Sequence, residues 1–194
     1  MMTLPNILTI FRILLTPVFI LCLFAEFHNA QFWALFIFIV ASITDAYDGY
    51  YARKNDMVTD TGKFLDPLAD KILVSSAFIS FAVMGLIDFW MVTLIIFRDL
   101  FVTGLRVIMS RKGFNMMTSQ IAKSKTSVQI SIIIFTLTIV SLKGINWSIV
   151  TDYLTFVKEY ELVYYLTMVT VLFTLYTGFT YIQENRKAIK EMMN

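Results

Sequence analysis

The chain has 194 residues, 58% of them hydrophobic and only 15% charged, with a net charge of +2. Soluble domains carry roughly 25% charged residues, so a soluble globular protein is excluded. A lone cysteine, Cys22, excludes an intrachain disulfide.

Several apolar runs approach the roughly 20 residues that a spanning helix needs. The reading is an all-α integral membrane protein of one domain, 1–194, with six spans at about 5–26, 32–53, 66–86, 89–110, 127–145 and 162–183. The first opens "MMTLPNILTIFR" with no basic cluster before its apolar stretch, so it is expected to stay in the mature protein rather than be cleaved as a signal peptide. "EFHNAQ" links it to the second span and holds the only histidine, His28. The second span ends in "DAYDGYYARK", and "KNDMVTDTG" turns the chain into the third. "GLID" leads into the fourth span, "RKGFNMMTSQIAKSK" into the fifth and "KGINWSIVTDYLTFVKEYE" into the sixth.

Lysine and arginine orient the spans. Eleven lie in or beside the segments on one side, and only Lys143 and Lys158 lie on the other. Both termini and the active end of the bundle are therefore expected in the cytoplasm, with the protein in the plasma membrane. Trp33, Trp90 and Trp147 fall near the outer boundary, where interfacial anchors belong.

Charges also occur within or at the ends of spans: Arg12, Asp45, Asp48, Asp66, Asp70, Lys71, Arg98 and Asp99. Each costs roughly 2.5–3.5 kcal/mol at mid-bilayer on insertion scales, so each needs a partner or a wet cavity. An ion pair such as Asp70 with Arg12 would satisfy one of them. The spacing of the acids points further. Asp45 and Asp48 are three apart, and Gly62, Asp66 and Asp70 are spaced by four, so each set shares one helical face. Two antiparallel helices then bring four carboxylates together. Their repulsion is relieved by a divalent cation, and an oxygen-only set suits Mg²⁺, Mn²⁺ or Ca²⁺ rather than zinc. Gly49, Ala52 and Gly62 keep these faces small, for close helix packing or for a flat ligand. Arg98 and Arg106 on the fourth span, with Lys123 and Lys125 in the segment that follows it, form a candidate anion site. Metal beside cations is equipment for phosphoryl chemistry.

From Asp45 the residues read D-x2-D-G-x2-A-R-x8-G-x3-D-x3-D, with Asp45, Asp48, Gly49, Ala52, Arg53, Gly62, Asp66 and Asp70 at the fixed positions. This resembles the signature of the CDP-alcohol phosphatidyltransferases, and the six-span layout extends the resemblance along the chain. The resemblance implies transfer of the phosphatidyl group from CDP-diacylglycerol to an alcohol, with release of CMP and with Mg²⁺ or Mn²⁺, as two ions, for cofactor. It implies Asp45, Asp48, Asp66 and Asp70 as metal ligands, with Asp70 also the catalytic base. It places Asp48, Gly49, Ala52, Arg53 and Gly62 at the CDP-lipid, where Asn6 and Thr9 of "LPNILTIFRILLTP" also reach. That stretch, "RDLFVTGLR" and "AKSKT" are similar to the phosphatidylglycerophosphate synthases within the family, although Asp99 stands where Glu is expected and Ala122 where Gly is expected. The implied acceptor is sn-glycerol 3-phosphate, its phosphate held by Arg98, Arg106, Lys123 and Lys125. Membrane lipids are expected partners, a homodimer is compatible with the layout, and no nucleic-acid partner is expected. Other readings are a relative that makes cardiolipin, phosphatidylserine or phosphatidylinositol phosphate, and, in different classes, a divalent-cation transporter and a lipid-binding structural protein. Clustering of the acids at one membrane face counts against the transporter.

Overall fold

The computed structural model describes the backbone of residues 4–54, 60–112, 120–143 and 147–193. Within these helices the side chains of residues 4–8, 45–54, 60–68, 70, 111, 120–123, 187 and 192–193 lie outside the described residues. Everything regular among the described residues is helical: α1 (Leu4–Phe24), α2 (Ala30–Lys54), α3 (Asp60–Val83), α4 (Phe89–Arg111), α5 (Gln120–Leu142), α6 (Ser148–Glu159), α7 (Leu162–Glu184) and α8 (Arg186–Met193). Among the described residues, Ser124–Leu142 of α5 and Leu162–Glu184 of α7 are long and apolar enough to cross a membrane, and shorter apolar stretches run through Thr9–Phe24, Ala30–Thr44 and Lys71–Val83.

Among the described residues, short connections link α1 to α2 and α3 to α4. At the end of α3, Leu86 N–H donates to Phe81 O at 2.9 Å and Gly85 N–H to Ala82 O at 3.0 Å. Gly85 sits at φ +70°, so this is a Schellman stop in which a residue with a Cβ would be strained. Asp88 precedes α4 but does not cap it through its side chain. Its carboxylate instead accepts from Trp90 Nε1 at 3.0 Å and Tyr164 Oη at 3.3 Å, which ties the α3–α4 turn to α7.

Packing follows the rules of lipid rather than of water. α1 packs on α2 and α3, α5 lies between α2 and α7, and α4 packs on α7 and α3. Ala30, Ala34 and Ala41 of α2 are fully buried, as small residues are where membrane helices approach closely. Phe19 and Phe38 meet across α1 and α2 with ring centroids 5.6 Å apart. α7 is turned inside out relative to a soluble helix. Thr167, Thr170, Thr174 and Thr177 are buried, while Val169, Leu172, Tyr176 and Phe179 are exposed. The buried threonines mostly satisfy themselves, Thr167 Oγ1 donating to Val163 O at 2.8 Å and Thr170 Oγ1 to Leu166 O at 2.9 Å.

Three differences from the sequence reading have physical causes. α3 and α5 begin at Asp60 and Gln120, about two turns before the apolar spans predicted for them, because a helix continues through polar turns where lipid contact does not. Lys123 and Lys125 are thereby residues of α5 rather than of a connecting segment. Residues 148–159, read as part of a connection, form α6, with Leu154 and Val157 turned inward and Ile149, Tyr153 and Phe156 outward. The terminal segment likewise carries α8, basic in its last turn at Lys190.

Candidate active site

α2 carries Asp45, Asp48, Gly49, Ala52 and Arg53 in its last three turns, and α3 carries Gly62, Asp66 and Asp70 in its first three. The backbone is helical through all of these positions, so the three- and four-residue spacings fall within continuous helix. The side chains themselves lie outside the described residues, as do those of Asn6 and Lys123. The donor set consists of carboxylates alone and fits a hard divalent ion. Thr9 is described and is fully buried on α1, one turn before the equally buried Arg12.

Three cations of the expected acceptor region, Arg98, Arg106 and Lys125, lie among the described residues, and they do not stand alone. Lys125 Nζ donates to Asp99 Oδ1 as a buried ion pair. Arg98 Nη1 reaches the same oxygen at 3.3 Å. Gln129, one turn beyond Lys125, donates from Nε2 to Asp99 Oδ2 at 3.5 Å. Arg98 Nη2 donates to Thr177 Oγ1 at 3.1 Å, and Arg98 Nε has no partner among the described residues. One aspartate on α4 thus collects an arginine from its own helix and a lysine and a glutamine from α5, while α7 supports the arginine. Two cations share one carboxylate, so the cluster keeps a net positive charge and retains capacity for a further anion. α5, which carries Lys125, also packs on α3, the helix whose first turns carry Gly62, Asp66 and Asp70.

Close approach on α7 makes room for Arg98. A Cβ placed on Gly178 would lie 3.0 Å from both Cγ and Nε of Arg98, whereas one on Gly104 would meet nothing within 4 Å. Arg106 belongs to a separate contact. It is eight residues beyond Arg98, about 12 Å along the helix axis. Its Nε donates to Tyr181 Oη at 3.4 Å, and its guanidinium carbon lies 5.5 Å from the centre of that ring, within cation–π range.

Of the four residues expected to grip the acceptor phosphate, the structure joins Arg98 and Lys125 through Asp99 and sets Arg106 apart on Tyr181. Sequence reasoning missed Asp99 as the hub, and Gln129, Thr177, Gly178 and Tyr181 as its surroundings. Two signals were present: an acid beside Arg98 within a span, which has to find a partner, and the four-residue spacing of Lys125 and Gln129 on α5.

Residues 2–176 match the family model described as CDP-alcohol phosphatidyltransferase. A Bacillus subtilis (strain 168) protein named CDP-diacylglycerol–glycerol-3-phosphate 3-phosphatidyltransferase is 36% identical over 202 residues, covering 98% of each chain. Proteins of the same name from Rickettsia bellii and Wigglesworthia glossinidia brevipalpis are 36% and 39% identical, covering 95% and 66% of this chain and 96% and 72% of their own.

Proposed function

The chain belongs to the CDP-alcohol phosphatidyltransferase family, and on that premise we propose that it moves the phosphatidyl group of CDP-diacylglycerol onto sn-glycerol 3-phosphate, forming phosphatidylglycerophosphate and CMP in phospholipid biosynthesis. One observation carries the choice of acceptor: the end-to-end similarity to relatives named for that reaction. The cation cluster around Asp99 supports it, because an acceptor that bears a phosphate needs such a cluster and serine does not.

In this reading the whole chain is one membrane domain with six spans, α1 to α5 and α7. Both termini and the acid motif face the cytoplasm from the plasma membrane. Asp45, Asp48, Asp66 and Asp70 hold Mg²⁺ or Mn²⁺, which when bound offsets charge on the pyrophosphate. Asn6, Thr9, Gly49, Ala52, Arg53 and Gly62 seat the CDP-lipid. Lys125 and Arg98, held by Asp99, take the phosphate of glycerol 3-phosphate, with Lys123 on the same helix as Lys125 and Arg106 adding its charge from about two turns further along α4. Asp70 accepts the proton of the acceptor hydroxyl as its oxygen attacks the phosphatidyl phosphorus, and the bond from that phosphorus to CMP breaks. Prealigned cations also spare the acceptor the entropy of finding its orientation.

The deciding experiment supplies purified protein with CDP-diacylglycerol, Mg²⁺ or Mn²⁺ and a panel of acceptors, and reads CMP release and lipid product together. Product with glycerol 3-phosphate is expected. Product with phosphatidylglycerol alone would make the protein a different member of the family, and activity that survives a chelator would remove the metal from the reading.

A further inference from the structure

A cavity lies at the end of the bundle opposite the acid motif. It measures about 530 Å³, a volume typical of ligand pockets. The turn after α3, the end of α5, α6 and the start of α7 enclose it. Ile139, Leu154, Val157 and Val163 give it an apolar floor. Asp66 and Asp70 are 15 or more residues before Gly85 on the helix that reaches it, so the acid motif is about 25 Å away along α3.

Its charge is unusual for this side of the chain. Lys143 and Lys158 are the two basic residues that the sequence places opposite the cytoplasmic excess, and both line this one cavity. Both are exposed, and neither side-chain ammonium has an ion-pair or hydrogen-bond partner among the described residues. Glu161 is the acid on the lining, and the Tyr164 hydroxyl there is engaged by Asp88. Thr151 and Thr155 add hydroxyls from α6. The backbone bends sharply at the same place, with Glu161 at φ +46° and Gly85 at φ +70° both on the cavity wall.

The outer face of α6 says what surrounds the opening. Ile149 is 81% exposed, and Tyr153, Phe156 and Tyr160 follow on the same stripe at spacings of four, three and four. Trp147 stands exposed at the helix start. A short helix with an aromatic and apolar outer stripe lies in the membrane interface. The cavity behind it then opens at the depth where phosphates meet acyl chains.

We propose that this cavity binds one anionic glycerophospholipid, its phosphate between Lys143 and Lys158 and the upper part of an acyl chain on the floor made by Leu154 and its neighbours. The site is separate from the transfer site and holds a lipid that is not being converted there. With the orientation proposed above, the lipid comes from the outer leaflet; the binding itself does not rest on that orientation.

The test is native mass spectrometry of the detergent-purified protein titrated with phosphatidylglycerol. Three forms are compared: the natural protein, the double variant Lys143→Gln/Lys158→Gln, and Leu154→Trp, which fills the floor and keeps both charges. One saturable lipid adduct is expected for the natural protein. About tenfold weaker binding is expected for the double variant, the scale of a lost charge-assisted contact. A similar loss is expected for Leu154→Trp, with no displacement by inorganic phosphate. CMP release stays at its natural level in the double variant, which shows that the protein is folded. Equal lipid retention in the natural protein and the double variant would overturn the site. Loss in the double variant alone, with displacement by inorganic phosphate, would make it a soluble-anion site and overturn the lipid. Absence of CMP release from the natural protein would instead sink the transferase reading and leave the adduct result standing.

Discussion

The two ends of the bundle handle positive charge in opposite ways. Beside the acid motif, Lys125 and Arg98 are largely buried, and Asp99 holds both, with Gln129 and Thr177 completing the set. At the far end, Lys143 and Lys158 stand on the rim of a cavity with no fixed partner among the described residues. Burial explains the difference. A cation enclosed by α4, α5 and α7 cannot wait for a ligand, because an uncompensated buried charge is too costly, so the protein supplies the counterion itself. A cation at an interface keeps its water and can wait. The first arrangement gives a prealigned site, and the second gives one that its ligand orders.

The contrast can be broken most completely at the acid motif. Asp48→Asn and Asp66→Asn are expected to take transfer below detection while the protein stays folded in membranes, and measurable turnover in either would remove that position from the metal set. The next largest effect is expected at Asp99. Asp99→Asn leaves Lys125 and Arg98 enclosed without an anion, a change worth about 3–5 kcal/mol for a buried pair. It should lower the thermal unfolding midpoint in detergent sharply, and Asp99→Glu should restore it. An unchanged midpoint in Asp99→Asn would mean that the cations are solvated and that the two ends do not differ.

Arg106 tests the boundary of the compensated region. It is exposed, and Tyr181 is its side-chain contact among the described residues, so Arg106→Ala should spare stability. Its loss should raise the KM for glycerol 3-phosphate about tenfold, as for one charge-assisted contact. A rise confined to CDP-diacylglycerol would move Arg106 to the donor. The smallest effects come from two glycines. Gly104→Ala enters open space on α4 and should stabilise by about 1 kcal/mol through helix propensity. Gly178→Ala gains the same propensity but presses on Arg98, so its unfolding midpoint should fall short of that of Gly104→Ala. Equal gains would show that Arg98 moves aside freely.

These features were not equally legible in the chain. Apolar runs marked the long helices well, because hydrophobicity reports lipid contact directly: α4 and α7 end within a residue or two of the spans expected for them. The same signal missed the first turns of α3 and α5, since hydrogen bonding along a helix does not require lipid. α6 escaped because Thr151, Asp152, Thr155 and Lys158 break its apolar pattern, and its interfacial character depends on which face the fold covers. In the site, the four-residue steps from Arg98 through Val102 to Arg106 could suggest that the two arginines share a face. It could not reveal that Asp99 would meet a lysine 26 residues onward, or that Arg98 would meet a threonine 79 residues away. Those partners are chosen by helix packing, which local spacing does not encode.

The Asp99 hub also sets an order for the birth of the protein. α4 is synthesised with Arg98 and Asp99 side by side in its middle, before Lys125, Gln129 and Thr177 exist to receive them. Two such groups disfavour entry into the bilayer by several kcal/mol on insertion scales, and their mutual bridge offsets only part of that. α7, whose buried threonines mostly bond their own backbone and whose one charged residue, Glu184, stands at its end, faces no such barrier. A nascent chain cut after position 112 is therefore expected to integrate α4 poorly, and one that extends through α7 to integrate it fully, as a glycosylation tag beyond each end would report. The ion pair that prealigns the site in the finished protein makes its fourth helix dependent, during biogenesis, on the helices that follow it.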